Sequence, residues 1–317
     1  MKVVINYQEY ADVEIEKKVL AQLPGVEVVE SRTRDAKEFA KEVRDADAVI
    51  AQYGPVNHEV ISAMERCKVI VRYGIAVDTI DLHAAKGHGI RVCNVPFYCL
   101  DEVSNHSLAL LLALHRKILI GDQLLRENRY SLQEIMPIPR LMDLTIGLVG
   151  FGHIPRVLSK KIKHLFKRII VHDPLVRKEE LDEHGILGVD LDELFKSSDY
   201  VSIHAPSNPK TRHMINAHLL SLMKPTAYLI NTSRGALVDE QALIDILRAR
   251  KIAGAGLDVY ETEPLPRDSP LRSLDNVVLT MHYAWYSEGA IQELKETAAM
   301  EALRVLRGEE PLHEVKI

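Results

Sequence analysis

Residues 144–174, LTIGLVGFGHIPRVLSKKIKHLFKRIIVHDP, constrain this chain more than any other stretch. They read as strand, glycine turn, helix, strand and acid, in that order. The run 145–149 is short and mainly apolar, as a buried parallel strand requires. Gly150 and Gly152 follow, where the missing Cβ lets a backbone approach a pyrophosphate. The helix predicted from about His153 aims its first N–H groups at that anion. A second strand spans 168–172, and Asp173 ends it roughly 20 residues beyond Gly152, the spacing of a carboxylate that accepts from the adenosine ribose hydroxyls. An acid there repels the extra phosphate of NADP, so NAD is the expected cofactor. Pro155 stands where the pattern G-x-G-x-x-G has its third glycine. The first helical turn tolerates proline because an N–H there has no intrahelical partner. The competing reading is a plain strand–turn–helix with no ligand; the flanking strand, the helix and the distant acid weigh against it.

The rest of the chain extends that pattern. Between residues 1 and 93, strand candidates at 2–7, 26–30, 48–52, 68–73 and 90–93 alternate with helical stretches near 12–22, 35–44, 57–65 and 80–88. Such alternation predicts a parallel sheet covered by helices. The loop VRYGIAVDTID, 71–81, leaves the carboxyl end of one of these strands, the place where open α/β sheets bind ligands. An ordinary strand-to-helix turn is an equally good reading of that segment alone. Residues 101–128 read as one long helix whose centre, LALLLAL, is apolar on every face, which implies burial between domains or in a dimer interface. His106, within it, reads as a structural histidine. Residues 130–142, with Pro137 and Pro139, form a connector, and strand–helix alternation resumes after Asp173. A final amphipathic helix covers 287–307, with Ile291, Leu294, Ala298 and Val305 on one side and Gly308 as its stop.

With 317 residues there is room for two domains. A net charge of −5 argues against a general nucleic-acid binder. The apolar run near Leu108 is too short to span a bilayer, so no membrane partner is expected. Cys67, Cys93 and Cys99 lack a C-x-x-C spacing and suit reduced thiols in the cytoplasm, and the opening KVVINY reads as a strand rather than a leader.

The strongest chemical signal is convergence. Predicted strands end in His204, in Arg234, in Asp258 with Glu263, and in His282. All would face the cofactor edge of one parallel sheet. Arg234, between Ser233 and Gly235, is a fixed cation suited to a substrate carboxylate, although an arginine in a surface loop is the plainer reading. His282 can give a proton to a carbonyl oxygen as hydride arrives, or take it back in reverse. Most of the 14 histidines will be structural, but Glu263 is a plausible partner for this one, and a carboxylate beside imidazole orients the ring. No metal-ligand spacing occurs near these strand ends, and no metal is expected.

Taken together, VRYGIAVDTID, NVP, GLVGFGHI, HDP, HAPSNPKTRHMIN, NTSRGALVDEQAL, AGAGLDVYETEP and the final histidine resemble the D-2-hydroxyacid dehydrogenase family over essentially the whole chain. HYAWYSE resembles the branch that contains the C-terminal-binding proteins, NAD-binding corepressors of dehydrogenase fold. The resemblance implies two doubly wound parallel-sheet domains, a flavodoxin-like substrate domain from 1–97 plus 287–317 and a Rossmann NAD-binding domain from 98–286. It implies that Arg234 holds the substrate carboxylate and that Glu263 and His282 form the acid/base pair. Gly150, Gly152, His153, Ile154 and Asp173 fall in the NAD fingerprint, and His204, Pro206, Thr211, Thr232 and Asp258 around the cofactor, Asp258 near the nicotinamide amide. Tyr73, Gly74 and Ile75 match the substrate loop, and Trp285 an aromatic of the substrate pocket, so Trp285 and Tyr73 are expected as apolar walls. Ala76 replaces a common second glycine of that loop, and Met281 stands where proline is usual. The expected activity is NAD-dependent reduction of a small 2-oxo acid to a D-2-hydroxy acid by a homodimer. The rival is an NAD(H)-sensing dimeric scaffold of the corepressor type with little turnover.

Overall fold

The structure, a computed structural model, describes residues 1–7 and 9–316. It divides into two compact units, Met1–Tyr98 with Tyr286–Ile317, and Cys99–Trp285. In chain order the first unit holds β1 (Lys2–Asn6), α1 (Glu14–Leu20), β2 (Glu27–Ser31), α2 (Ala36–Val43), β3 (Ala48–Ala51), α3 (His58–Ser62), β4 (Val69–Arg72), α4 (Leu82–Gly87) and β5 (Arg91–Cys93). The second holds α5 (Leu100–His115), α6 (Ile118–Arg126), β6 (Thr145–Val149), α7 (His153–Ile162), β7 (Arg168–His172), α8 (Lys178–Glu183), β8 (Leu187–Gly188), α9 (Leu191–Ser197), β9 (Tyr200–Ile203), α10 (Ala217–Leu222), β10 (Tyr228–Asn231), α11 (Glu240–Arg248), β11 (Gly254–Leu257) and β12 (Val277–Leu279). α12 (Glu288–Leu306) returns to the first unit.

Both sheets are parallel. The first runs β2-β1-β3-β4-β5, the flavodoxin-like order, and the second runs β12-β11-β10-β9-β6-β7-β8, the Rossmann order with one added strand. Strands buried on both faces, such as VIVR of β4 and TIGLV of β6, explain why these segments are apolar runs rather than alternating ones. Asp35, Asn57, Asp81, Asp190, Asn216, Asp239 and Ser287 each accept a backbone N–H at a helix start, which sets where those helices begin. Each sheet has its own core, Val4, Val49, Ile70 and Val92 in the first unit and Val149, Ile203, Leu229 and Leu257 in the second.

The single helix expected over 101–128 is two. Lys117 is left-handed, φ 52°, and separates α5 from α6. α5 buries Val103, Leu110, Leu111 and Leu114, whereas α6 buries Leu124 and leaves Ile118, Leu119 and Leu125 exposed. No Gly or Pro marks the break, so helical periodicity continued through it unaltered.

Candidate active site

The Rossmann order reverses between β6 and β9, and the carboxyl ends of those strands carry Gly150 and His204. They touch: a Cβ on Gly150 would lie 2.9 Å from the His204 carbonyl carbon, and Gly150 itself has φ 95°, so only glycine fits. Gly152 is the N-cap of α7, no side chain caps that helix, and a Cβ on Gly152 would meet nothing within 4 Å. Exposed His153 and half-buried Ile154 open the helix, and Pro155 is buried within its first turn. Asp173 accepts from Phe151 N–H at 2.8 Å and from Leu175 N–H at 2.9 Å, which ties the acid to the glycine turn.

His204 bonds Ser202 Oγ through Nε2 at 2.8 Å, and burial pushes its imidazole down to about 3. It stays neutral at physiological pH and is unsuited to donate a proton there. Thr211 Oγ donates to Pro206 O at 2.7 Å and closes the loop between them. Buried Thr232 shares a 2.8 Å bond with Ser107 of α5.

Arg234 leaves β10 on a loop held from three sides. Asn231 Nδ2 donates to Arg234 O at 3.0 Å, Ser233 Oγ to Ile203 O at 2.7 Å, and one Arg234 guanidinium nitrogen to Ser233 O at 2.8 Å. A Cβ on Gly235 would sit 1.9 Å from the Tyr260 carbonyl carbon, so glycine is what lets this loop lie against the Tyr260 backbone. Glu263 Oε1 accepts from Tyr260 N–H at 3.0 Å, and Oε2 lies 2.6 Å from His282 Nδ1. Burial pushes the Glu263 carboxyl up, but His282, the Tyr260 N–H and the nearby Arg234 charge outweigh it and hold the group below the usual carboxylate value. His282 is itself left-handed, φ 57°, an unusual backbone for a non-glycine residue. Trp285 Nε1 donates to His282 O at 2.9 Å, so the half-buried indole braces the same turn.

Asp258 explains that turn. Fully buried, it accepts from Thr280 Oγ at 2.6 Å, Tyr283 N–H at 3.2 Å and Ala284 N–H at 2.9 Å. His106 Nε2 lies 3.0 Å from Thr280 Oγ and its ring meets Tyr283 edge-on, a structural role as expected. Thr280 was not legible as a site residue; its only sequence signal is its place between a strand and His282.

The expected substrate loop lies in the first unit. Gly74 has φ 140°, its carbonyl accepts from Val95 N–H at 3.0 Å, and Asn94 Nδ2 donates to Ile75 O at 2.6 Å, which assigns a role to the NVP stretch. Tyr73 is only 3% exposed and its hydroxyl bonds Glu16. Its ring belongs to the core and is no pocket wall; only its backbone reaches the loop.

Residues 108–284 match the family described as D-isomer specific 2-hydroxyacid dehydrogenase, NAD binding domain. The chain belongs to that family. It is 37% identical over 294 residues to a D-3-phosphoglycerate dehydrogenase of Methanocaldococcus jannaschii, covering 92% of this chain and 55% of that protein. It thus spans about half the length of that relative. With a glyoxylate reductase of Thermofilum pendens it shares 38% identity over 281 residues, 87% of this chain and 83% of the relative. The fold superposes on D-lactate dehydrogenase from Aquifex aeolicus complexed with NAD and lactic acid with TM-score 0.88 and 30% identity, covering 97% and 96% of the two chains. The residues of this chain fit NAD, because the Gly150–Gly152 turn leaves room at an uncapped helix start and Asp173 stands beside it. No described helix is long and apolar enough to cross a membrane.

Proposed function

We propose that the protein is an NAD-dependent reductase of small 2-oxo acids that forms D-2-hydroxy acids and runs in reverse as a dehydrogenase. The 2.6 Å bond between Glu263 and His282, on a turn braced by Asp258, carries this reading. With Nδ1 engaged by Glu263, His282 keeps Nε2 for the proton it gives to the oxygen of the carbonyl being reduced. Arg234 clamps the substrate carboxylate through paired hydrogen bonds. On the substrate side Gly74, whose own N–H donates to Arg72 O at 2.9 Å, shapes the loop and Ile75 contributes its backbone amide, with Trp285 as an aromatic wall. When bound, the nicotinamide supplies or takes up the hydride at C2. Asp173 favours NAD over NADP, since its carboxylate repels a 2′-phosphate. His153, Ile154, Thr211, Pro206, Thr232 and His204 line the cofactor.

Glyoxylate and larger 2-oxo acids are the substrates proposed, on the strength of the glyoxylate reductase relative and the Trp285 indole. The corepressor-like branch is supported by HYAWYSE alone, and the intact Arg234, Glu263 and His282 favour turnover over a scaffold role. A homodimer is supported by the apolar surface of 118–142, where Leu119, Leu125, Tyr130, Leu132 and Met142 are exposed within the second unit. The three free thiols suit the cytoplasm. The deciding measurement is turnover of NADH with a panel of 2-oxo acids from glyoxylate to aryl pyruvates. Absence of turnover across the panel, with NADH bound, overturns the reading.

A further inference from the structure

α1 and α12 pack against each other in the first unit, and between them lies a charged group that a core of this size does not need. Glu16 of α1 is fully buried and Lys295 of α12 nearly so. Their charged atoms stand 3.5 Å apart, and Lys295 Nζ also donates to Asp12 O at 2.8 Å. Replacing a buried ion pair with apolar side chains is often neutral or stabilising, so its presence asks for another reason. The other Glu16 oxygen supplies it by accepting the Tyr73 hydroxyl. Tyr10 meets the Tyr73 ring edge-on at 5.5 Å, with Lys295 over the far ring at 5.6 Å. Tyr73 lies between Arg72, whose guanidinium donates to Tyr73 O, and Gly74, whose φ is 140°. The side chain anchored in the helices therefore belongs to the residue that sets the Gly74 backbone. Burial pushes the Glu16 carboxyl up, while Tyr73 and Lys295 act to keep it charged.

We infer that Glu16 and Tyr73, with Lys295, are positioning residues that set the Gly74 loop for the substrate carboxylate. This rests on the reading of that loop as substrate-binding. Glu16, Tyr73 and Lys295 all belong to the first unit and the cofactor turn to the second, so loss of the network should be felt in substrate affinity and not in cofactor affinity.

The test is steady-state kinetics of Tyr73→Phe, Glu16→Gln and the double variant, with NADH affinity by fluorescence and thermal melting of each. Tyr73→Phe keeps the ring and removes only the hydroxyl. A hydrogen bond to a charged group lost from a rigid loop predicts a rise in KM for the 2-oxo acid of about tenfold, with kcat and the NADH Kd within about twofold. The double variant should raise KM by less than the product of the two single effects, since both changes act on one bond. A lowered melting temperature with unmoved KM would show a purely structural network and overturn the proposal, as would full multiplicativity. If Tyr73→Phe fails to fold, Glu16→Gln, which retains an acceptor, decides by the same criterion. Gly74→Ala separates the two readings, because a Cβ there would press on the Arg72 guanidinium at 3.3 Å in a backbone only glycine adopts freely. If it raises KM and the network variants do not, the network has no positioning role. If it leaves KM unmoved, the loop is not the substrate loop.

Discussion

In the proposed function three side chains carry the residue-scale chemistry, and each makes a separate prediction. Arg234→Ala leaves a desolvated carboxylate without its partner, so kcat/KM should fall by on the order of 3 kcal/mol in barrier terms, with NADH affinity retained. Stopped-flow NADH binding alongside steady-state rates checks this, and near-normal turnover in a folded variant rejects the assignment. Asp173→Ala should narrow the preference for NADH over NADPH, read as the ratio of the two kcat/KM values. For Glu263 the pH sign follows from its depressed carboxyl. A group held below its unfolded value of 4.5 contributes stability above that value and loses it as pH falls through the folded value. Glu263→Gln should therefore melt lower than the unmodified protein at neutral pH, and the gap should narrow as pH falls below 4.5. A gap that is constant from pH 3 to 7 would mean that the charge of Glu263 is not what its neighbours hold.

At the scale of elements, two loops meet where β10 and β11 end. Gly235 is wedged against the Tyr260 backbone, and Tyr260 N–H in turn holds Glu263. Gly235→Ala should push the loops apart, costing roughly 1–3 kcal/mol of stability and lowering kcat/KM through misplacement of both Arg234 and Glu263. Differential scanning calorimetry with kinetics on the same sample measures both; full activity with an unshifted Tm would show that the loops accommodate the methyl group. The site elements were legible because polar residues interrupt apolar runs at strand ends, as in INTSRG and LDVYETEP. The break at Lys117 and the inward turn of Tyr73 were not. Neither leaves a mark in periodicity: no glycine or proline signals the break at Lys117, and an aromatic after a strand suits a core and a pocket equally well.

For the whole molecule, the exposed apolar residues of 118–142 predict self-association. Leu125→Glu, at a position 63% exposed, should leave the fold intact and shift sedimentation toward the monomer; an unmodified protein that sediments as a monomer at micromolar concentration rejects the dimer. This surface is the part of the molecule that sequence periodicity reads least well, because an apolar helix looks the same whether its cover is its own core or a second chain.

The amino-acid sequence by itself determined the two parallel sheets, the dinucleotide turn at Gly150 and Gly152, and the candidacy of Arg234, Glu263 and His282, because these depend on local periodicity, on glycine spacing and on polar residues at strand ends. Only the tertiary structure decided what holds them. Asp258 braces the His282 turn through Thr280, Tyr283 and Ala284, and Glu16 meets Tyr73 from 57 residues away. Such bonds join groups distant in sequence, and a buried carboxylate takes whichever donors the packed chain brings to it, which no spacing along the chain encodes.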